Sequence, residues 1–154
     1  MAGIILDASA FVKAVLPEPG SARVEELLLR AVTGADEVMV LQLAFTEAAN
    51  AIWKRQQRNE LAPDEALEAL ARLTSLADGV EVVADRLHLR RALAVSVALA
   101  IPVYDALALA CAEADGLLLV TGDRRQARLG VQLSPPIEVE LLGSEDGQAD
   151  ALTP

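Results

Sequence analysis

The chain has 154 residues, 53% of them hydrophobic, and 23 acidic residues against 13 Lys and Arg give a formal net charge of −10. This length fits one domain with a single core, and the negative charge argues against a nonspecific nucleic-acid coat, which needs many cationic contacts with phosphate. One Cys and one His exclude an intramolecular disulfide and leave zinc chemistry and Cys/His nucleophilic catalysis without enough ligands or bases. We therefore expect any chemistry to use carboxylates.

Neither a membrane span nor a signal peptide is predicted. The longest uncharged run covers residues 92–104 and contains Pro102, whereas a membrane-spanning helix needs ~20 apolar residues. The N-terminus has no basic start before Asp7, its first carboxylate. We therefore expect a cytoplasmic protein without a membrane partner.

The first half of the chain alternates apolar runs with helical patterns. Residues 3–6 predict a buried strand, and a helix over about 9–16 is ended by Pro17 and Pro19. Ser21 is expected to cap a second helix that runs to about residue 32. A strand at 37–41 then precedes a long helix over 42–58, and Pro63 starts a fourth helix.

The second half repeats this alternation. A strand is predicted at 80–83, and Asp85 is expected to cap a helix that runs to about residue 100. The next helix runs from 104–105 to 115–116, followed by a buried strand at 117–121, a short helix over 124–129 and an edge-type strand at 137–142. This order predicts an α/β fold, a three-layer α/β/α sandwich with a central parallel sheet. We place the domain at 1–142 and expect an acidic, disordered tail over 143–154.

Two carboxylates follow strands of the predicted sheet. Asp7 comes directly after the first strand, and Asp123 follows the 117–121 strand by a two-residue step. Ligands in such folds bind outside the carboxyl ends of the strands, where the strand order reverses. Asp105, in the first turn of a helix, is a third candidate. Each Asp also has a local explanation, because an acidic residue there caps a helix or interacts favourably with its dipole.

Glu47 is a different kind of candidate because it lies in the middle of a predicted helix among small or apolar neighbours. A carboxylate buried there is costly unless a cation compensates its charge. The alternative is that Glu47 simply points into solvent.

Other polar and aromatic residues have predominantly structural interpretations. Cys111 is expected to pack as a small hydrophobic residue, His88 to lie on a solvated helix face, and Trp53 to belong to the core or an interface. Two basic clusters either hold RNA phosphates or form solvated faces and helix ends. They are Lys54, Arg55 and Arg58, and Arg124, Arg125 and Arg128.

Four segments, taken in order, resemble the motifs of PIN-domain nucleases and of VapC-type toxins: LDASA (6–10), TEAANA (46–51), YDALALA (104–110) and VTGDRR (120–125). The resemblance extends over nearly all of residues 3–142. The chain departs from the family at Gly122, where Ala is more common, and at 42–45, which lacks the usual Ser/Pro entry into the helix. Any one motif is weak, but the ordered four are specific.

The resemblance implies a metal-dependent endoribonuclease, the toxin of a toxin–antitoxin pair. Asp7, Asp105 and Asp123 would bind Mg²⁺ or Mn²⁺, and Glu47 would either bind the ion through water or orient the attacking water. Ligands that are all oxygen do suit such hard cations. Supporting hydrogen bonds are expected from Ser9, Asn50 and Thr121. Expected partners are an RNA substrate, an antitoxin with a basic segment, and a second copy of the chain bound through apolar helix faces around Leu27 and Trp53.

Two other function classes stay open. The first is another α/β enzyme centred on Asp, such as a phosphatase or a phospho-receiver. A phosphatase of the haloacid-dehalogenase type needs a second Asp two residues after Asp7, but that residue is Ser9. A phospho-receiver needs an acidic pair near the first strand and a late Lys, whereas Lys occurs only at positions 13 and 54. The second class is non-catalytic: an acidic cleft that only binds a basic segment of a partner.

Overall fold

Five strands form one parallel sheet in the computed structural model, which describes residues 3–143. The strands are β1 (Gly3–Leu6), β2 (Glu37–Leu41), β3 (Glu81–Val83), β4 (Leu118–Thr121) and β5 (Val139–Leu141). The α-helices of the same residues are α1 (Ala8–Phe11), α2 (Ser21–Val32), α3 (Gln42–Gln57), α4 (Pro63–Ser75), α5 (Leu89–Leu99), α6 (Val103–Asp115) and α7 (Arg124–Gln132).

The sheet order is β3-β2-β1-β4-β5, and every neighbouring pair is parallel. The chain moves outward from β1 to β2 and β3, and then returns to add β4 and β5 on the other side of β1. The strand order therefore reverses between β1 and β4. In an open parallel sheet, the carboxyl ends of the strands at this point form a ligand-binding crevice.

Alternate side chains of the strands point into two separate apolar layers, as the period of a strand requires. On one side, Ile5 and Leu119 pack with residues of α5, α6 and α7. On the other side, Ile4, Leu6 and Val120 pack with residues of α1, α2, α3 and α4. Helices thus cover both faces of the sheet, which confirms the predicted three-layer α/β/α sandwich.

Two predicted helix boundaries were wrong in detail. The first helix stops at Phe11 and continues only as a 3₁₀ turn, Val12–Ala14. It does not reach residue 16 as predicted, because Pro17 has no N–H for a last helical turn and disfavours the helical conformation at Leu16. Ser21 does not cap α2: Gly20 does, at φ 93°, and Ser21 is the first helical residue. The Ser21 hydroxyl instead accepts a hydrogen bond from the Glu18 N–H (3.0 Å) in the preceding loop.

Asp85 caps a different helix from the one predicted. The segment that follows β3 forms a 3₁₀ turn, Asp85–Leu87, before α5 begins at Leu89. The Asp85 carboxylate accepts a hydrogen bond from the Leu43 N–H (3.1 Å), in the first turn of α3. It therefore satisfies one of the unpaired donors at the start of α3, whose own N-cap residue, Leu41, offers no side-chain cap.

Burial corrects two further predictions and confirms one. His88 is only 8% exposed and is not on a solvated face. Trp53 is 54% exposed, so of its two predicted places, the core or an interface, only the interface stays open. Leu27 is 1% exposed, so it packs within the chain and has no surface to offer a second subunit. Cys111 is buried, as predicted.

Among residues 3–143, no single helix has the length and apolar composition needed to cross a membrane. The α5–α6 pair passes that test by length and composition alone, with a bend of 113° between the two helices. Residues 144–154, which hold nearly all of the predicted acidic tail, lie outside the described residues, so disorder there stays a prediction.

Candidate active site

Asp7 and Asp123 lie at the carboxyl ends of the two strands between which the strand order reverses. Asp7 follows β1 directly, and its N–H donates to the Val120 carbonyl of β4 (3.1 Å). Each Asp also caps a helix: Asp7 accepts from the Ala10 N–H (2.9 Å), and Asp123 accepts from the Arg125 N–H (2.7 Å). The capping explanation is therefore correct. Both carboxylates can still bind a further group, because a carboxylate offers about four acceptor sites and the cap uses one of them.

Two hydroxyl groups orient the Asp7 carboxylate. Ser9 Oγ donates to Asp7 Oδ1 (2.7 Å), and Thr121 Oγ1 donates to Asp7 Oδ2 (2.5 Å). Thr121 has no exposed surface, and the two hydroxyl oxygens are 3.2 Å apart. The structure thus brings Ser9 and Thr121, two of the three predicted supporting residues, into direct contact with the carboxylate.

The same hydroxyl groups fix the loop that carries Asp123. Ser9 Oγ accepts a hydrogen bond from the Gly122 N–H (2.8 Å), and Thr121 Oγ1 accepts one from the Asp123 N–H (3.0 Å). A Cβ atom at Gly122 would lie 2.8 Å from Lys13 Cε and 3.2 Å from the Ser9 carbonyl oxygen. Glycine at this position therefore leaves room for the Lys13 side chain to pass the loop.

Glu47 and Asp105 complete a ring of four carboxylates around one cavity of about 250 Å³. Glu47 is brought there by α3, which starts immediately after β2, and Asp105 by the first turn of α6. The cavity is lined by Leu6, Asp7, Ala8, Ser9, Val12, Leu41, Leu43, Ala44, Glu47, Ala51, Tyr104, Asp105, Ala108, Asp123 and Gln126. All four carboxylates predicted from the sequence therefore face the same space.

Burial and mutual repulsion perturb these carboxyl groups. The pKa of Asp7 is raised, chiefly by burial and further by the charge of Asp123, although its hydrogen bonds act in the opposite direction. The pKa of Glu47 is raised to about 7 by burial of part of the side chain and then by the charges of Asp7, Asp105 and Asp85. Such a cluster favours either a bound proton or a bound cation.

Two side chains of α7 contact Asp105. Arg125 Nη1 lies 3.4 Å from Asp105 Oδ2, and Gln126 Nε2 donates to the Asp105 carbonyl (3.1 Å). Gln126 lines the cavity, and the sequence reasoning missed it because no pattern marks an amide whose partner is a distant backbone carbonyl. Asp85, predicted only as a helix cap, does not line the cavity, but its charge contributes to the raised pKa of Glu47.

Asn50, the third predicted supporting residue, is exposed on α3 and does not line the cavity. The two basic clusters also differ in their surroundings. Arg55 forms salt bridges with Glu18 and Glu60, and Arg58 forms one with Glu60. Arg124, Arg125 and Arg128 instead lie on the helix that Asp123 caps, and all three are exposed.

The donor atoms of the cavity suit a hard divalent cation. Its carboxylates come from Asp7, Glu47, Asp105 and Asp123, and neither His nor Cys lines it. Mg²⁺ binds through a few carboxylates and retains several waters, and Mn²⁺ accepts the same oxygen ligands. The residues present therefore fit such an ion, and the repulsion that raises the Glu47 pKa is what the ion would relieve.

Comparisons with known proteins agree with this arrangement. The sequence model of the PIN domain family matches residues 4–132. Ribonuclease VapC3 of Pyrobaculum aerophilum is 36% identical over 124 residues, which cover 80% of this chain and 92% of that protein. Two crystal structures have similar folds. The structure of PAE2754 from the same organism has a TM-score of 0.65 at 26% identity, and the match covers 83% of this chain and 79% of that one. The structure of VapBC2 from Rickettsia felis, bound to a promoter DNA fragment, has a TM-score of 0.59 at 14% identity, and the match covers 90% of this chain and 98% of that one.

Proposed function

The chain belongs to the PIN-domain family, and we propose that it is a metal-dependent endoribonuclease that hydrolyses RNA phosphodiester bonds as the toxin of a toxin–antitoxin pair. The observation that carries the proposal is the convergence of Asp7, Glu47, Asp105 and Asp123 on one cavity. The relative that shares 36% of aligned residues is named as a ribonuclease and a VapC protein, which supports the same reaction and the same biological role.

In this proposal Asp7, Asp105 and Asp123 hold Mg²⁺ or Mn²⁺, and Glu47 contributes through water. When bound, such a cation lowers the pKa of its water and neutralises charge on the phosphate. Ser9 and Thr121 keep the Asp7 carboxylate in one orientation through their hydrogen bonds, a type of support that strongly affects metal affinity and activity.

Glu47 is the carboxylate best placed to handle a proton. It lines the cavity with the other three carboxylates, and a carboxylate within hydrogen-bonding reach of a water can accept the proton of that water. We assign it the orientation of the attacking water and acceptance of the proton that this water loses. Arg125, beside Asp105, and the neighbouring Arg124 and Arg128 are placed to hold RNA phosphates outside the cavity, since such contacts position a nucleic acid.

The decisive experiment measures RNA cleavage by the purified, partner-free chain after removal of metal with a chelator. We expect no cleavage in chelator and recovery with Mg²⁺ or Mn²⁺. Cleavage that persists in chelator, or no cleavage of any RNA by the metal-loaded chain, would contradict the proposal. A titration with Mn²⁺ tests the non-catalytic alternative, because an acidic cleft that only binds a basic segment has no reason to hold Mn²⁺.

The antitoxin is proposed to place a basic side chain, most suitably Arg, against the four carboxylates. A guanidinium group forms two parallel hydrogen bonds with a carboxylate, and the chain's net charge of −10 favours a basic partner. Substitution of that Arg in a copurified partner should restore nuclease activity. A partner that inhibits without contacting the cavity would disprove this mode of inhibition.

The second copy in a proposed homodimer cannot bind through Leu27, which is buried. The exposed apolar side chains of Trp53 on α3 and Leu67 on α4 remain available, with 54% and 66% of their surface exposed. Light scattering at high protein concentration tests this part of the proposal, and a monomer under those conditions would contradict it.

A further inference from the structure

A second cluster of metal-binding side chains lies at the far end of α6 from Asp105. His88 Nε2 lies 3.8 Å from Asp115 Oδ2, and Cys111 Sγ lies 3.9 Å from the same oxygen. One ligand atom from each of the three residues lies within 4.8 Å of the other two. Among residues 3–143 it is the one group of three or more His, Cys, Asp and Glu side chains whose ligand atoms come this close together.

The fold builds this cluster from buried side chains and leaves one side open. Cys111 and Asp115 are four residues apart on α6 and therefore share a face of the helix, while His88 lies between the Asp85–Leu87 turn and α5. His88 and Cys111 are buried, whereas the Asp115 side chain is 48% exposed. Among the described residues no hydrogen bond reaches the His88 ring, because the 3.8 Å approach to Asp115 exceeds hydrogen-bonding distance.

The electrostatic surroundings favour a cation. α6 ends at Asp115 and is closed by Gly116, so the unpaired carbonyls and negative end of the helix dipole lie beside the cluster. Cys111 Sγ lies against the Asp115 carboxylate, and a metal ion that binds the sulfur displaces the thiol proton to form a thiolate.

We propose that His88, Cys111 and Asp115 bind a transition-metal ion of the Zn²⁺ type, with a fourth position open to water. Tetrahedral zinc with Zn–S of about 2.3 Å and Zn–N or Zn–O of about 2.0–2.2 Å separates its ligand atoms by roughly 3.3–3.6 Å. The observed separations of 3.8 and 3.9 Å to Asp115 exceed these values by a few tenths of an ångström. The ligand atoms of His88 and Cys111 lie within 4.8 Å of each other, so this third pair has to close by at most about 1.2 Å. Three protein ligands with one open position is an established zinc arrangement.

This site is chemically distinct from the carboxylate cavity and does not depend on the proposed nuclease activity. Its nitrogen and sulfur donors select zinc or cobalt over Mg²⁺, which prefers oxygen. From Asp105 to Asp115 the helix axis covers about 15 Å, so the two sites are separate. A bound ion would join the start of α5 to the end of α6 and stabilise the folded chain in proportion to its occupancy.

Cobalt titration of the full chain, stripped of metal and kept reduced, tests the proposal because Co²⁺ reports its ligands by absorption. We expect a thiolate-to-cobalt charge-transfer band and visible bands of tetrahedral intensity that correspond to one Co²⁺ per chain, beside any ion in the carboxylate cavity, and that excess Zn²⁺ removes. The bands should vanish in Cys111→Ser. In Asp115→Asn, an exposed change that leaves the core intact, Co²⁺ affinity should fall by about 10-fold or more.

The matched control is Asp123→Asn, which alters the carboxylate cavity and should leave the thiolate band unchanged. Melting curves in chelator establish that each variant is folded. A folded wild-type chain that binds Co²⁺ without a charge-transfer band would overturn the proposal, because the ion would then occupy only the carboxylate cavity. An Asp115→Asn variant with wild-type Co²⁺ affinity would overturn the assigned ligand set.

Discussion

The two ends of α6 hold groups of opposite chemical character. At its first turn, Asp105 joins carboxylates from the β1 and β4 ends and from α3, so the charged side chains that line the cavity offer only oxygen atoms. At its last turn, Asp115 joins a nitrogen and a sulfur ligand. The first arrangement suits a hard cation that keeps its waters, and the second suits a softer ion that binds nitrogen and sulfur. One helix can thus serve two independent sites because each end meets different neighbours.

The largest expected effect comes from Asp123→Asn. This change keeps an oxygen that can cap α7 but removes one charge from the cavity, so we expect RNA cleavage to fall by at least about 100-fold. Because the clustered carboxylates repel, stability in chelator should be unchanged or higher, by on the order of 1 kcal/mol. Mg²⁺ should then raise the melting temperature of the wild-type chain more than that of the variant.

Asp115→Asn is the matched change at the other end of α6 and should retain wild-type cleavage. If Asp123→Asn kept the wild-type response to Mg²⁺, Asp123 would be only a helix cap, and much of the case for the carboxylate site would be lost with it.

Thr121→Val should have the next largest effect. Valine fills the same space but removes the hydroxyl that donates to Asp7 and accepts from the Asp123 N–H. We expect cleavage to fall by roughly 10–100-fold, with weaker binding of Mn²⁺ measured by calorimetry. The control is Thr74→Val, since the Thr74 hydroxyl is exposed and bonds only to carbonyls of its own helix. Lower stability with unchanged Mn²⁺ affinity would limit Thr121 to a structural role.

Glu47→Gln should change how stability depends on pH in chelator. Folding raises the pKa of Glu47 from 4.5 to about 7, so the folded state binds this proton more tightly than the unfolded state does. The resulting stabilisation is complete below about pH 4.5 and is lost as the pH rises through 7. Because the side chain is partly exposed, we expect a loss on the order of 1 kcal/mol.

Urea titrations at pH 5 and pH 8 measure this difference between the two proteins. Glutamine does not titrate, so the Glu47→Gln variant should lose less stability than the wild type between the two pH values. An identical loss in both proteins would show that Glu47 does not titrate with a raised pKa.

The smallest expected effect on catalysis is that of Cys111→Ser. The buried thiol lies at the other end of α6 and does not line the cavity. Effects at well-separated sites are usually independent, so cleavage with Mg²⁺ should stay within about 2-fold of wild type while stabilisation by Zn²⁺ disappears. A large loss of cleavage in a folded variant would show that the two sites are coupled.

The sheet and the positions of the carboxylates were predictable because both depend on local patterns. Apolar runs such as 3–6 and 37–41 lie in the middle of a parallel sheet and are buried on both sides, so their composition alone marks them as strands. Asp7 and Asp123 each follow such a run, and carboxyl ends of parallel strands meet at one edge. That Glu47 and Asp105 join them was expected only because the four motifs, in their order, resemble those of the PIN-domain family. Short-range spacing alone does not show that residues so far apart in the sequence meet.

The remaining features depend on which residues far apart in the sequence come into contact. Asp85 has the local pattern of a helix cap, yet it caps the start of α3, 42 residues earlier. The burial of His88 follows from the docking of α5 on α6. The sequence by itself determined that this chain is an α/β domain with carboxylates at the ends of its strands, because periodicity and strand ends are local properties. Only the tertiary structure brought His88, Cys111 and Asp115 together, since packing between helices decides which buried side chains meet.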